Sequence, residues 1–283
     1  MKLLITPNND KQGIEENTIR LCKKLHEFDG VILMTGSDRA IYKDYCDEWD
    51  DDCNVLMNKC DVVIAIGGDG TILRSASHAA VFGKPVLGLN LGRLGFMAGL
   101  EFSELDLISR LFTREYKIQE RMMLDIRVKR SGKCEYRNIA LNDAVIARGT
   151  TSHIVDLQVR HNNDACLEYR ADGLIFCTPT GSTAYSFSAG GPVVDPSVKS
   201  IILTPVCPHS MLDRSIIFSS DSYLEIEPKV TRENDVLLTL DGDSMRKIES
   251  GSVIEIKRSN LDAKFIIIKQ NSFSRTFTGK MHC

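Results

Sequence analysis

Two hydrophobic rhythms alternate along the first 115 or so positions of the chain. Positions 3–6 are a short apolar run ended by Pro7. Ile14, Thr18, Leu21, Cys22 and Leu25 then recur at helical spacing in a segment that reaches Phe28. Positions 31–34 read as a strand. Positions 61–66 are apolar throughout after Asp61, as in a parallel strand covered on both faces. A glycine-rich turn follows, then a helical stretch from about Thr71 to Phe82 and a strand over 84–89. Positions 103–112 read as a helix with Ser103 as N-cap and Glu104 and Asp106 in its first turn. This βα alternation predicts a doubly wound, Rossmann-like α/β domain. From Arg121 the rhythm changes. Short strand-like runs dominate, at 124–129, 140–147, 154–160, 174–177, 201–206, 223–226, 236–240, 253–256 and 265–268, with turn residues between them. The expected division is an α/β domain over 1–120, a mostly β domain over 121–271, and a tail over 272–283 with no strong pattern.

Composition narrows the class without naming a function. The 283 residues suffice for two domains, and a 43% hydrophobic content can build cores without disulfides or structural metal. The net charge of −3 provides no basic excess to recruit nucleic acid or an anionic membrane. No apolar run approaches the ~20 residues of a membrane span. Leu3, Leu4 and Ile5 are too short a core for a signal peptide, so a cytoplasmic protein is expected. The cysteines are scattered and form no C-x-x-C pair, which argues against a zinc knuckle. Cys46, Cys53 and Cys60 recur every seven residues. With the acidic Asp47, Glu48, Asp50, Asp51 and Asp52 among them, they read as one side of a solvated helix running into the next strand.

Four segments carry candidate chemistry. Gly67, Gly68, Asp69, Gly70 and Thr71 lie between the strongest strand and a helix. Adjacent glycines let a phosphate approach the backbone, and the helix N-terminus offers free N–H groups. A carboxylate there repels phosphate, so Asp69 implies either a bridging metal or a general base. A plain β-to-α turn uses the same residue types. No G-x-x-x-x-G-K-[ST] or G-x-G-x-x-G pattern occurs, so neither a P-loop nor an ordinary Rossmann dehydrogenase is indicated. The second segment, 178–192, gathers Thr178, Thr180, Ser182, Thr183, Tyr185, Ser186 and Ser188 around three glycines, with Ser182 placed to cap a short helix. Hydroxyls and small residues suit a polar small molecule held close to the backbone; a loop is the plainer reading. No G-x-S-x-G elbow occurs. The third segment is Asn142-Asp143, polar residues inside an apolar run, which mark either a binding position or a bulge. The fourth is Tyr169-Arg170-Ala171-Asp172-Gly173, where a salt bridge at a turn is the alternative.

Taken in order, these segments resemble the NAD kinase family. The resemblance runs from about residue 5 to 245. It includes 67–71, Leu89-Asn90-Leu91-Gly92-Arg93-Leu94-Gly95-Phe96, Asn142-Asp143, Asp172-Gly173 and, most specifically, 178–192. Pro7-Asn8-Asn9-Asp10-Lys11 resembles the family's opening Asn-x-x-Lys, and Thr204–His209 resembles a later segment. Lipid kinases and phosphofructokinases share the Gly-Gly-Asp-Gly turn.

The resemblance implies an active site in the cleft between the two domains and a tail that packs back on the first. It implies transfer of the terminal phosphoryl of ATP, or of polyphosphate, to the 2′-hydroxyl of NAD's adenosine ribose. Asp69 is then the base, and Gly67, Gly68, Gly70 and Thr71 line the phosphate site. A divalent ion, magnesium, is the expected cofactor, with ligands the sequence does not place. For NAD the implied contacts are Asn142 and Asp143 at the ribose, Thr183, Ala184, Tyr185 and Ser188 around adenine, Asp172 near the nicotinamide with Arg170 beside it, and Asn90 and Phe96 at the wall. Two departures stand out. Asp143 replaces a more usual Glu, and Asp243 follows Asp241-Gly242 where Gln is common. A homodimer or homotetramer is expected, with no nucleic acid or membrane partner. The alternatives are a lipid or sugar kinase and a non-catalytic dinucleotide-binding regulator.

Overall fold

The computed structural model describes residues 1–91, 95–149, 153–164, 166–209, 211–230, 235–269 and 273–281. The chain forms two units: Met1–Glu120 with Ala263–Cys283, and Arg121–Asp262. The second division lies at 262, not at the expected 271. One continuous strand, Ser252–Ile267, replaces the two short runs expected at 253–256 and 265–268, and its Lys264 and Phe265 already pair with Pro85 and Val86 of the first unit.

In the first unit the strands Glu48–Asp50, Val31–Thr35, Lys2–Pro7, Val62–Ile66 and Pro85–Asn90 lie side by side and all parallel. The chain builds outward from Lys2–Pro7 to Glu48–Asp50, then returns to the other side with Val62–Ile66. The carboxyl ends of Lys2–Pro7 and Val62–Ile66 therefore form a topological switch point, where open α/β sheets bind ligands. Every residue of Val62–Ile66 is buried, as its unbroken apolar run requires. Leu87 and Leu89 join a core with Leu21 and Leu25 of the helix Ile14–His26. Gly88, between them, faces the other way, and a Cβ there would come 2.8 Å from Ile72 in the helix Asp69–Val81. Helices thus cover both faces.

Two local readings are corrected. Glu48–Asp50 is an edge strand, and Asp52 caps the helix Cys53–Lys59 by accepting from the Asn54 N–H at 2.8 Å. An edge strand needs one backbone partner and leaves polar side chains in solvent, so no helix forms over 47–52. The Ser103 cap is also displaced. Glu101 and Glu104 form a reciprocal capping box on a 3₁₀ turn, Phe102–Ile108, followed by the short helix Ser109–Thr113. The Ser103 hydroxyl donates to Glu101 at 3.3 Å instead.

The second unit stacks two sheets. One is antiparallel, in the order Ile216–Ser219, Ser200–Val206, Gly173–Cys177, Asp143–Arg148, Val236–Leu240, Ser244–Ile248. The other includes Cys166–Ala171, Val155–His161 and Leu224–Pro228. Leu157, Val159 and Ile226 from the second pack with Ile146, Leu174 and Phe176 from the first. Period-two alternation sends Val145, Ile175, Cys177 and Ile202 to the opposite face, where Ala189 and Val194 cover them. Asp143 precedes Val145 by two residues and pairs with Cys177, so it belongs to that covered face.

Three strands have no strong apolar pattern: Lys133–Ala140, Cys166–Ala171 and Ser244–Ile248. Each lies at the margin of its sheet, where one side is enough to hold it. Lys133–Ala140 is made by its turn: Ser131 and Gly132 both have positive φ, 51° and 76°, as a two-residue hairpin loop demands. Among the described residues, no helix is long and apolar enough to cross a membrane.

Candidate active site

The glycine-rich turn after Val62–Ile66 sits at the switch point. Gly68 caps the helix Asp69–Val81 with extended backbone and no side chain, leaving the helix entrance clear for an anion. Gly67 is required by packing, since a Cβ there would come 2.6 Å from Thr71 Oγ1. Asn8, following the first strand, donates its N–H to Ile66 O and its amide to Thr71 Oγ1, both at 3.0 Å. A Cβ on Gly68 would meet Lys11 Nζ at 2.9 Å, so an ammonium reaches the turn from the same loop. Lys11 joins the candidates at this turn, and its signal in the sequence is the opening Asn-x-x-Lys.

Asp69 begins the helix. Its two oxygens accept the backbone N–H groups of Phe96 and Met97, each at 3.2 Å. A Cβ at Gly95 would lie 2.0 Å from Asp69 Oδ1, so the carboxylate lies directly against that loop's backbone. Asn90, buried, ends the strand Pro85–Asn90, and Phe96 is half-buried beyond the loop. Residues 92–94 of the motif lie outside the described residues.

In the second unit the structure brings together two segments some forty residues apart. Asn142 O accepts from Thr178 N at 2.9 Å, and a Cβ on Gly181 would come 2.2 Å from the same oxygen. The hydroxyls then divide by role. Thr178 donates to Leu141 O at 2.6 Å, Ser182 to Pro179 O at 2.7 Å, and Ser186 shares a bond with Thr204 at 2.9 Å. Ser182 is no helix cap: it also bonds Val194 N and O, pinning the loop shut. Thr183 and Ala184 are half-buried, and Tyr185 and Ser188 are exposed on the short helix Tyr185–Ser188.

Asn142 Oδ1 is buried without a hydrogen-bond partner. Asp143, 4% exposed, has its carboxyl pushed up to about 7 by burial and then by the negative charge of Asp241. Asp241 follows the strand Val236–Leu240 at φ 50°. Its carboxylate accepts the N–H groups of Leu141, Asn142 and Asp143 at 2.9, 2.7 and 3.0 Å. An acceptor-rich pair is thus fixed by a second carboxylate, Asp241, from a distant segment, a role the sequence left open. Asp172 pairs with Arg148 Nε at 2.8 Å, not with Arg170, which is exposed on the edge strand Cys166–Ala171. Arg148 ends the strand that Asp143 begins, a link visible only once that strand's length is known.

The ATP-NAD kinase N-terminal domain model matches residues 7–116, and the ATP-NAD kinase C-terminal domain model matches 141–268. The chain belongs to the NAD kinase family. It is 37% identical to an NAD kinase of Acetivibrio thermocellus, across 100% of this chain and 97% of the other. An NAD kinase of Caldanaerobacter subterraneus is 44% identical over 78% of each. Among solved structures, a yeast NADH kinase complexed with NADH superposes with a TM-score of 0.88 at 26% identity, across 100% of this chain and 87% of that one. An Archaeoglobus fulgidus NAD kinase in complex with ATP has the same fold, with a TM-score of 0.76 at 22% identity, across 100% and 99%. The family fold matches the α/β and mostly β units described above, and the chain is a kinase enzyme.

Proposed function

We propose that this kinase moves the terminal phosphoryl of ATP to the 2′-hydroxyl of the adenosine ribose of NAD, giving NADP. Relatives named NAD kinase over nearly their whole length support the acceptor. The solved relatives hold NADH in one case and ATP in the other. The observation that carries the mechanism is the Asp69 carboxylate, fixed by two backbone N–H groups at a helix entrance suited to phosphate. A ribose hydroxyl is a poor nucleophile, and a placed base accelerates its attack by about 10²–10⁴-fold. In this reading Asp69 takes the 2′-hydroxyl proton while Gly67, Gly68, Gly70, Thr71 and Lys11 hold the phosphates.

Asn142 and Asp143 hold the adenosine ribose. The unpartnered Asn142 Oδ1 and the buried carboxyl match hydroxyl donors better than any anion. Thr183, Ala184, Tyr185 and Ser188 surround adenine, Asp172 and Arg170 serve the nicotinamide end, and Asn90 and Phe96 contribute to the wall. Among the described residues no group of three or more His, Cys, Asp or Glu side chains is arranged to hold a metal. Magnesium binds largely through the substrate's phosphates and water and needs no all-protein cage. When bound it would neutralise phosphate charge. A cytoplasmic setting and a homodimer or homotetramer belong to the same proposal; light scattering after size-exclusion chromatography tests the latter.

Incubation with NAD, ATP and magnesium should yield NADP. Asp69→Asn should keep NAD binding and lose turnover by about 10²–10⁴-fold. Near-wild-type turnover in that variant would remove Asp69 as the base. Phosphorylation of a lipid or sugar without NADP would favour the rival kinase, and NAD binding without any transfer would favour the regulator.

A further inference from the structure

The loop that grips Asp69 is itself gripped. The Phe96 ring stands 6.2 Å from that of Phe273 and 6.5 Å from that of Phe277, centroid to centroid, and the latter two stand 6.2 Å apart. Phe273 and Phe277 are four residues apart, so they share one face of the C-terminal helix Phe273–Met281. This helix belongs to the same unit as the phosphate turn. All three rings are half-buried, which makes them a local clamp and not part of the sheet's core.

The clamp acts on a segment with little slack. Gly95, next to Phe96, is in direct contact with the Asp69 carboxylate, and the N–H donors to that carboxylate belong to Phe96 itself and to Met97. Both bonds, at 3.2 Å, are at the long end of the useful range, where a further small displacement ends them. Moving the Phe96 ring moves the backbone that orients the carboxylate.

We propose that Phe273 and Phe277 are positioning residues for Asp69. They hold Phe96, Phe96 and Met97 hold the carboxylate, and the C-terminal helix is thereby part of the catalytic apparatus although it touches no reacting atom. This rests on the reading of Asp69 as the base. A misplacement of about 1 Å at a reacting group lowers rates by about 10²-fold, which sets the expected size of the effect.

The test compares kcat and KM for both substrates in the full chain, for wild type, Phe273→Ala/Phe277→Ala, Phe273→Tyr/Phe277→Tyr and Asp69→Asn. The double alanine variant should lose kcat by about 10²-fold with KM for ATP nearly unchanged, and the double tyrosine variant should recover most of that loss. A rise confined to KM for NAD would mean that the rings only shape the wall through Phe96, and would overturn the proposal. So would unchanged kcat with a lower Tm, the signature of a merely structural helix. Asp69→Asn separates the two levels. If it turns over normally, the base reading fails. If it is inactive while the double alanine variant keeps its kcat, only the positioning role fails. Should the double alanine variant not fold, Phe277→Leu is read by the same criteria.

Discussion

Replacing Asp143 by Asn separates the energetic cost of this buried carboxyl from its proposed role at the ribose. Asp143 is 4% exposed, and its carboxyl is pushed from 3.8 up to about 7, first by burial and then by the charge of Asp241. The folded chain therefore binds one more proton than the unfolded chain between about pH 4 and pH 7. Stability from this group is fully present below about pH 4 and is lost as pH rises through about 7. A shift of roughly three units corresponds to about 4 kcal/mol once the group is ionised in both states. Asn has nearly the same shape and does not titrate. In the absence of substrates and magnesium, the stability advantage of Asp143→Asn over wild type should widen by about 3 kcal/mol from pH 4.5 to pH 8. Urea denaturation at the two pH values measures that gap, since titrating groups not coupled to Asp143 cancel between the two proteins. A gap that is equal at both pH values would refute the reasoning. The stabilised variant should also require more NAD, because a charged acceptor for the ribose hydroxyl has gone.

Three further outcomes follow from the same geometry. Asp241→Asn removes the second cause of the Asp143 shift, so the Asp143 carboxyl should titrate below about 7 in a carboxyl-carbon NMR experiment; an unmoved midpoint would exclude the coupling. Tyr185, 47% exposed, is free to stack on a base. Tyr185→Ala should weaken NAD binding by about 1–3 kcal/mol, read as KM, and an unchanged KM would take the ring out of the site. Gly181→Ala would force a Cβ to 2.2 Å from Asn142 O, so it should cost about 1–3 kcal/mol of stability and raise KM for NAD together. A loss of stability without any change in KM would show that the 142 and 181 segments are not coupled in binding.

The local pattern was enough wherever both faces of an element are buried or a turn has one chemistry. Val62–Ile66 followed by adjacent glycines could be read as strand, turn and helix start from the residues alone, because an unbroken apolar run has few other uses. The motif segments at 67–71, 142–143 and 178–192 were legible for a related reason: each is short and continuous, and chemistry held by neighbouring backbone leaves its mark in adjacent residues. The edge strands were not legible. Lys133–Ala140 owes its form to a partner and a two-residue turn, which no apolar alternation records.

Tertiary structure decided how the pieces support one another. Asp241 is 98 to 100 residues from the N–H groups it accepts, and only the register that places Leu240 opposite Ala144 brings it there. Arg148 in place of Arg170 as partner of Asp172, the burial that raises Asp143, and the three rings behind Asp69 are likewise products of packing. Sequence spacing carries contacts made within a few residues, whereas desolvation and long-range hydrogen bonds exist only once strands have paired. The sequence by itself therefore determined which residues are candidates for the chemistry, and the fold decided how they are buried, paired and held.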